Sequence, residues 1–86
     1  MKIKSGLLLK DVAGNHIVVA CDPSIEFNRI LSLNSTGAFI WSILEKGATK
    51  DELKDRLVSE YDIPEEKALS DLDIFLKRLE DYGVVE

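Results

Sequence analysis

The segment NSTGAFIWSIL, residues 34–44, lies between a β-rich first third of the chain and a helical remainder. Its first residues, Asn34, Ser35 and Thr36, carry side-chain oxygens that can cap a helix start, and Gly47 is a typical stop after its end. The segment is apolar on almost every side, which is typical of a helix buried at the centre of a domain. We therefore expect a central helix against which the rest of the chain packs.

The residues before this segment favour β-structure. Residues 7–12 and 16–20 are rich in aliphatic and β-branched side chains, and the turn signal at 13–15 between them predicts a hairpin. Residues 21–26 are interpreted as a loop because they contain an Asp-Pro-Ser run. A third strand is predicted from about residue 28 to residue 33.

The residues after the segment predict two further helices. Thr49 and Glu52 form a capping box at the start of the second helix, and Pro64 suits the first turn of the third, which Gly83 ends. One face of the second helix is expected to carry Leu53, Leu57, Val58 and Tyr61. The expected core stripe of the third helix consists of Ala68, Leu72, Phe75, Leu79 and Tyr82, widened by Leu69 and Leu76.

This order of three strands and then three helices predicts a single α+β domain over residues 1–86. A three-stranded antiparallel sheet is barely stable alone, so we expect it to pack against the helices. The second and third helices are joined by a short turn, with the sheet beside them as the wing. The predicted fold is therefore a winged helix-turn-helix.

The charge balance disfavours a nucleic-acid partner. Asp and Glu outnumber Lys and Arg by 16 to 11, which gives a formal net charge of −5. Nucleic-acid binders usually carry a basic surplus, because neutralising phosphates supplies much of their affinity. The apolar run at residues 7–9 is too short for a signal peptide or a membrane span, so we expect a cytoplasmic protein without membrane contact.

Motifs for catalysis and for cofactor binding are missing from the sequence. It has no Gly-rich phosphate loop and no nucleophile elbow, and one cysteine (Cys21) with one histidine (His16) cannot form a disulfide or a zinc site. We interpret His16 as a half-exposed strand residue and Cys21 as a small buried hydrophobe. Asp71 and Asp73, two positions apart on a helix, are expected to be solvated. We therefore expect a non-enzymatic protein, without metal or cofactor, that works by contact.

Two surfaces are candidates for such contact. The third strand lies at the edge of the predicted sheet, and an edge strand offers backbone groups to which another chain can add. The back of the third helix carries one ridge of residues spaced four, three and four apart: Lys67, Asp71, Ile74 and Arg78. If the two surfaces adjoin, they form a groove for an added antiparallel strand, where Arg29, Lys67 and Arg78 attract acidic residues. The alternative is an ordinary mixed surface with one exposed isoleucine.

The sequence also resembles a known family. Residues 33–41, Leu-Asn-Ser-Thr-Gly-Ala-Phe-Ile-Trp, are similar to the LN-x-TG-x-x-x-W signature of the PqqD family. Residues 60–63, Glu-Tyr-Asp-Ile, resemble that family's eyd(v/i) step. Residues 68–84 resemble its closing pattern a-x-x-D-(v/l)-x-x-F-l-x-x-L-x-x-x-G-(l/v). The similarity extends over nearly the whole chain.

The resemblance implies a winged helix-turn-helix fold and the role of a RiPP recognition element. Such a domain binds the leader of a ribosomally made precursor peptide and presents it to a maturation enzyme, often a radical-SAM enzyme. The leader is implied to add a strand beside the third strand and to pack against the third helix. The peptide contacts implied by analogy are Arg29, Ile30, Leu31, Lys67, Asp71, Ile74 and Arg78. The signature residues Asn34, Gly37 and Trp41 are implied to determine the fold.

The resemblance leaves the pathway and the oligomeric state open. Nothing in the sequence selects pyrroloquinoline quinone synthesis over lasso-peptide, sactipeptide or other pathways, and a homodimer is not decided. Two other functions are also left open. A winged-helix DNA-binding regulator shares the fold class, although the third helix begins Pro-Glu-Glu at residues 64–66 and would repel phosphate. A carrier protein is also small and acidic, but Ser-Asp-Leu at residues 70–72 has the wrong order for a phosphopantetheine site and lies within a helix.

Overall fold

The computed structural model describes residues 1–21 and 30–86. It contains three strands followed by three helices: β1 (Leu7–Val12), β2 (Asn15–Ala20), β3 (Leu31–Leu33), α1 (Ser35–Leu44), α2 (Lys50–Tyr61) and α3 (Glu65–Tyr82). In this described part of the chain, the strands form one antiparallel sheet in the order β1-β2-β3. The predicted α+β arrangement of three strands and three helices is confirmed.

The β1–β2 hairpin is closed by a two-residue turn. Ala13 and Gly14 both have positive φ angles, 52° and 84°, which is the combination that a type I′ turn requires. Val12 pairs with Asn15 directly before and after this turn. The predicted hairpin is confirmed, and β2 begins one residue earlier than predicted because Asn15 joins the ladder.

Strand β3 begins later than the sequence predicted. A strand from about residue 28 was expected, whereas β3 comprises Leu31–Leu33 and Ile30 precedes it as an exposed residue outside the strand. Residues 28 and 29, and residues 22–26 of the predicted loop, lie outside the described residues. The short β3 is defined by its pairing with β2, and apolar composition alone does not set its length.

The hydrophobic core lies between the sheet and the three helices. Trp41 of α1 is fully buried at its centre, as predicted. Phe39 and Ile43 are only partly buried, so one side of α1 lies at the margin of the core. The other fully buried large side chains are Leu31, Ile40, Leu44, Leu53, Leu57, Leu72, Leu79 and Val84.

The buried face of α3 differs from the predicted stripe. Ala68, Leu72 and Leu79 are fully buried, and Leu76 is also in the core, whereas Phe75 is only partly buried. Tyr82, also predicted in the stripe, is partly buried too. The buried face is thus rotated towards Leu76, and Phe75 lies at its edge.

The ends of α2 and α3 follow local sequence signals. The Thr49 hydroxyl accepts the Glu52 N–H, and the Glu52 carboxylate accepts the Thr49 N–H, so the predicted capping box is confirmed. Asp62 and Gly83 end α2 and α3 in the left-handed conformation. Pro64 is the N-cap of α3, one position before the helical turn that it was predicted to occupy.

Ion pairs also join α2 to α3. Lys54 Nζ lies 2.9 Å from Glu65 Oε1, and Lys50 pairs with Asp73. The hydrogen bond to Glu65 raises the pKa of Lys54 above its usual value, with a smaller contribution from Asp55. Both ion pairs therefore link the two helices across their contact.

The prediction for His16 is confirmed, whereas the prediction for Cys21 is wrong. His16 is partly buried in β2 beside Asp11, in agreement with the predicted half-exposed strand residue. Cys21 was predicted to be buried, but it is exposed, and its Sγ donates a hydrogen bond to the Gly6 carbonyl at 3.2 Å. That prediction was wrong because β2 ends at Ala20, so Cys21 lies beyond the paired part of the sheet.

The two end segments of the chain lie side by side. Ile3 and Val85 form an isolated antiparallel bridge, and the Lys4 N–H donates to the Val84 carbonyl at 2.9 Å. Ile3 and Val84 are both buried. The bridge therefore closes one boundary of the core.

Candidate functional site

Strand β3 has one paired edge and one open edge within the described residues. It pairs with β2 through Leu33 opposite His16, Ser32 opposite Ile17 and Leu31 opposite Val18. Successive residues of an antiparallel strand direct their N–H and C=O groups alternately to the two sides. The Ser32 carbonyl accepts a hydrogen bond from Arg78 Nη2 at 3.1 Å, so the backbone groups of Ser32 point to the open edge.

Helix α3 lies beside this open edge and runs in the opposite direction to β3. Arg78 contacts Ser32, whereas Phe75, about one turn earlier in α3, lies against Gly37 in α1. A Cβ atom at Gly37 would lie 2.9 Å from Phe75 Cε1. Earlier residues of α3 therefore meet later residues of the β3–α1 segment, and glycine at position 37 permits this close approach.

A cleft of about 330 Å³ lies between the start of α1 and α3. Ile40 is only 2% exposed and lies at its base, whereas Ile74 is 70% exposed on its wall. Asp71 and Arg78 supply its charged groups. The full lining consists of Asn34, Thr36, Gly37, Ile40, Asp71, Ile74, Phe75 and Arg78. The cleft thus combines apolar side chains with one anion and one cation.

Three of the seven predicted contact residues lie together in this cleft: Asp71, Ile74 and Arg78. Lys67 lies one helical turn before Asp71, with its Nζ 3.5 Å from Asp71 Oδ2, and it does not line the cleft. The ridge predicted on α3 is therefore a continuous surface that includes the cleft wall.

The other predicted contacts are in or before β3. Ile30 is 82% exposed immediately before the strand. The Leu31 side chain is fully buried in the core, so it supplies a strand position and no side chain to the groove. Arg29 lies outside the described residues.

Ser32 and Phe75 were missed by the sequence analysis. Ser32 stands between two buried leucines, and this alternation indicates an exposed strand residue whose neighbours face the core. Phe75 was assigned to the core stripe, but it is four residues after Asp71 and therefore on the same face of α3. The helical spacing thus contained a signal for Phe75.

The described residues contain no arrangement typical of a metal site. No group of three or more His, Cys, Asp or Glu side chains among them could hold a metal ion. Within residues 1–21 and 30–86, no helix is both long and apolar enough to span a membrane.

Comparison with known proteins places this geometry in a family. The family model described as coenzyme PQQ synthesis protein D (PqqD) matches residues 11–85. The solved structure described as TbiB1 in complex with the TbiA(beta) leader peptide has a TM-score of 0.81 and 24% identity, covering 100% of this chain and 95% of that chain. Lasso peptide synthetase B1 complexed with the leader peptide has a TM-score of 0.77 and 18% identity, covering 99% and 95%.

A comparison with curated protein sequences found no significant match. At the identities above, the two solved structures establish the fold, which fits the predicted winged helix-turn-helix. The family match includes the capped helix α1, the α2–α3 pair and the open-edged strand β3. With residues 11–85 matched, this chain belongs to the PqqD family.

Proposed function

We propose that this chain binds the leader segment of a ribosomally synthesised precursor peptide and presents it to a modifying enzyme. The observation that carries the proposal is the open edge of β3, where the Ser32 backbone points towards a cleft that contains the exposed Ile74. Edge strands bind extended peptides through main-chain hydrogen bonds, with adjacent pockets for alternate side chains. Membership of the PqqD family supports this function. Both structural relatives are described as complexes with leader peptides.

The guest peptide is proposed to form a fourth strand, antiparallel to β3. Ser32 would exchange backbone hydrogen bonds with it, and Ile74 would contact an apolar guest side chain. The proposed contact residues are those named from the sequence, with Leu31 contributing only its strand position: Arg29, Ile30, Leu31, Lys67, Asp71, Ile74 and Arg78.

The proposed role is non-catalytic. The chain would act as one domain over residues 1–86, without a cofactor, and deliver the peptide to a separate maturation enzyme. We propose a radical-SAM enzyme as that partner and the cytoplasm as the location. Light scattering on the purified protein, with and without peptide, would show whether it forms a homodimer.

Titration with a precursor peptide tests the function. The probe is the synthetic leader of a short precursor encoded next to this chain's gene, and calorimetry is expected to give micromolar or tighter 1:1 binding. Hydrogen exchange of the Ser32 amide should slow in the complex, because a guest carbonyl would accept that N–H. The amide of Leu9, in β1 at the opposite side of the sheet, is the control and should be unaffected.

Two results would contradict this proposal. Absence of binding by the leader would reject the function itself. Binding that protects Leu9 and leaves the Ser32 amide unprotected would place the peptide at the other edge of the sheet and reject the β3 site.

A further inference from the structure

Arg78 donates a hydrogen bond to the Ser32 carbonyl, which is the backbone acceptor that a guest strand would use. Its Nη2 lies 3.1 Å from the Ser32 oxygen, at the open edge of β3. In an antiparallel pair, the residue opposite Ser32 would donate its N–H to this same carbonyl. The guanidinium therefore covers part of the edge in the free protein, as charged side chains do at many strand edges.

The register of β3 assigns the guest side chains to two faces. Leu31 and Leu33 point into the core on the helix side, whereas Ser32 is exposed. Guest residues opposite Leu33 and Leu31 would therefore direct their side chains towards the helices, and the guest residue between them would face solvent. In an antiparallel guest, the residue opposite Leu33 comes first and the residue opposite Leu31 follows two positions later.

Helix α3 presents different side chains to the two guest positions opposite Leu33 and Leu31. Near Leu33, the ring of Phe75 lies against Gly37, and Ile74 is adjacent on the cleft wall. Near Ser32, α3 presents the Arg78 guanidinium. The first inward guest side chain would thus meet apolar groups and the second would meet a cation.

On the basis of the proposed strand addition, we infer that Arg78 selects a peptide with an apolar residue followed, two positions towards its carboxyl end, by Asp or Glu. The guest carboxylate replaces the Ser32 carbonyl as the acceptor for Arg78. A carboxylate carries a full negative charge and can accept two parallel N–H bonds from a guanidinium, so it is a better acceptor for Arg78 than a neutral backbone carbonyl. This exchange also frees the Ser32 carbonyl for the guest N–H.

A peptide that lacks the carboxylate leaves Arg78 in competition with its own backbone. The guanidinium then either retains the Ser32 carbonyl or exchanges it for water, because Arg78 is exposed and no guest carboxylate replaces that acceptor. Arg78 would therefore oppose a neutral guest and favour an acidic one, so its removal should have opposite consequences for the two.

A double-mutant cycle tests the inference. The probes are the synthetic leader peptide described above and versions in which each Asp or Glu is replaced singly by Asn or Gln. The proteins are the parent chain, Arg78→Gln and Lys10→Gln, which removes the same charge from an exposed position in β1. Calorimetry measures every pair, and circular dichroism verifies that each variant is folded.

Among the single replacements, we expect the largest loss of affinity at one acidic position that lies two residues after an apolar one. Replacing it should weaken binding to the parent chain about tenfold, as expected for loss of a charge-assisted hydrogen bond. Arg78→Gln should bind the acidic peptide more weakly than the parent chain does, by a similar factor. It should bind the amide version at least as tightly as the parent chain does. Lys10→Gln should match the parent chain with every peptide.

If Arg78→Gln weakens binding of the acidic and the amide peptides equally, the inference is wrong, because a purely structural role of Arg78 predicts that result. The inference is also wrong if no replacement of Asp or Glu in the peptide changes its affinity for the parent chain. In either case, parent binding with protection of the Ser32 amide leaves the proposed function standing. A parent peptide that does not bind at all rejects both.

Discussion

Asn34, Gly37 and Phe75 meet where β3 passes into α1. The Asn34 Oδ1 accepts the Gly37 N–H at 2.8 Å and caps α1. Because Gly37 has no side chain, the Phe75 ring can lie against it at the cleft wall. The cap and the glycine together set the direction of α1 and the approach of α3.

Loss of the α1 cap should destabilise the domain modestly. We expect Asn34→Ala to reduce the free energy of unfolding by about 1 kcal/mol, since the Gly37 N–H loses its acceptor. Asn34→Ser is the matched control, because a serine hydroxyl can accept the same hydrogen bond, and it should lose less than half as much. Urea denaturation measures both, and equal losses would show that the cap is not the cause.

Residue-level features were predictable where the signal is local. The caps at Asn34 and Thr49 and the stop at Gly83 each depend on a few neighbouring residues, and all three are present. The exposure of Cys21 and the contact between Arg78 and Ser32 depend on which parts of the chain pack together. Such tertiary relations are not encoded in a short window of sequence.

At the scale of the element, α3 has two faces with different tasks. Leu72 is fully buried against the core, and Ile74, two positions later, is 70% exposed on the cleft wall. Residues two apart on a helix point in different directions. The same helix can therefore stabilise the fold and present a binding surface.

Two aspartate substitutions in α3 should separate these tasks. Leu72→Asp places an unpaired charge in the core and should unfold the domain. Ile74→Asp should change the free energy of unfolding by no more than about 0.5 kcal/mol, as is usual for surface substitutions. It should weaken leader binding at least tenfold, because the apolar guest side chain would then meet a carboxylate, the second one beside Asp71, in place of isoleucine.

Circular dichroism and calorimetry measure the two properties in parallel. If folded Ile74→Asp binds the leader normally, the cleft is not the binding site, although the family assignment is unaffected.

The six elements were predictable from periodicity, but their adjacency was only a hypothesis. Alternating and helical apolar patterns predicted β1, β2 and all three helices, with small errors at their ends. The position of α3 beside β3 depends on contacts such as Arg78 with Ser32, which are 46 residues apart. The resemblance to the PqqD family supplied that adjacency before the structure did.

At the scale of the whole molecule, stability depends on one small core around Trp41. Its indole ring is fully buried, and its Nε1 has no hydrogen-bond partner among the described residues. An 86-residue domain buries a limited fraction of its surface. A single large side chain is therefore a substantial part of the total stability.

Truncation of this side chain should be severe. We expect Trp41→Ala to cost about 3–5 kcal/mol in the free energy of unfolding, through lost burial and the cavity that it leaves. Trp41→Phe is the control, because it keeps an aromatic ring and removes an N–H without a described acceptor, and its cost should be clearly smaller. Denaturant titration gives both values, and similar costs would mean that ring volume is not what stabilises the core.

The bridge between Ile3 and Val85 has a consequence for fusion proteins. Since the two end segments are antiparallel, hydrogen-bonded neighbours, a tether attached before residue 3 or after residue 85 leaves the domain on the same side. An enzyme joined at either end would experience a comparable effective concentration of the bound peptide, provided that the linkers have equal length. An enzyme can therefore be fused at either end of this domain with a similar result.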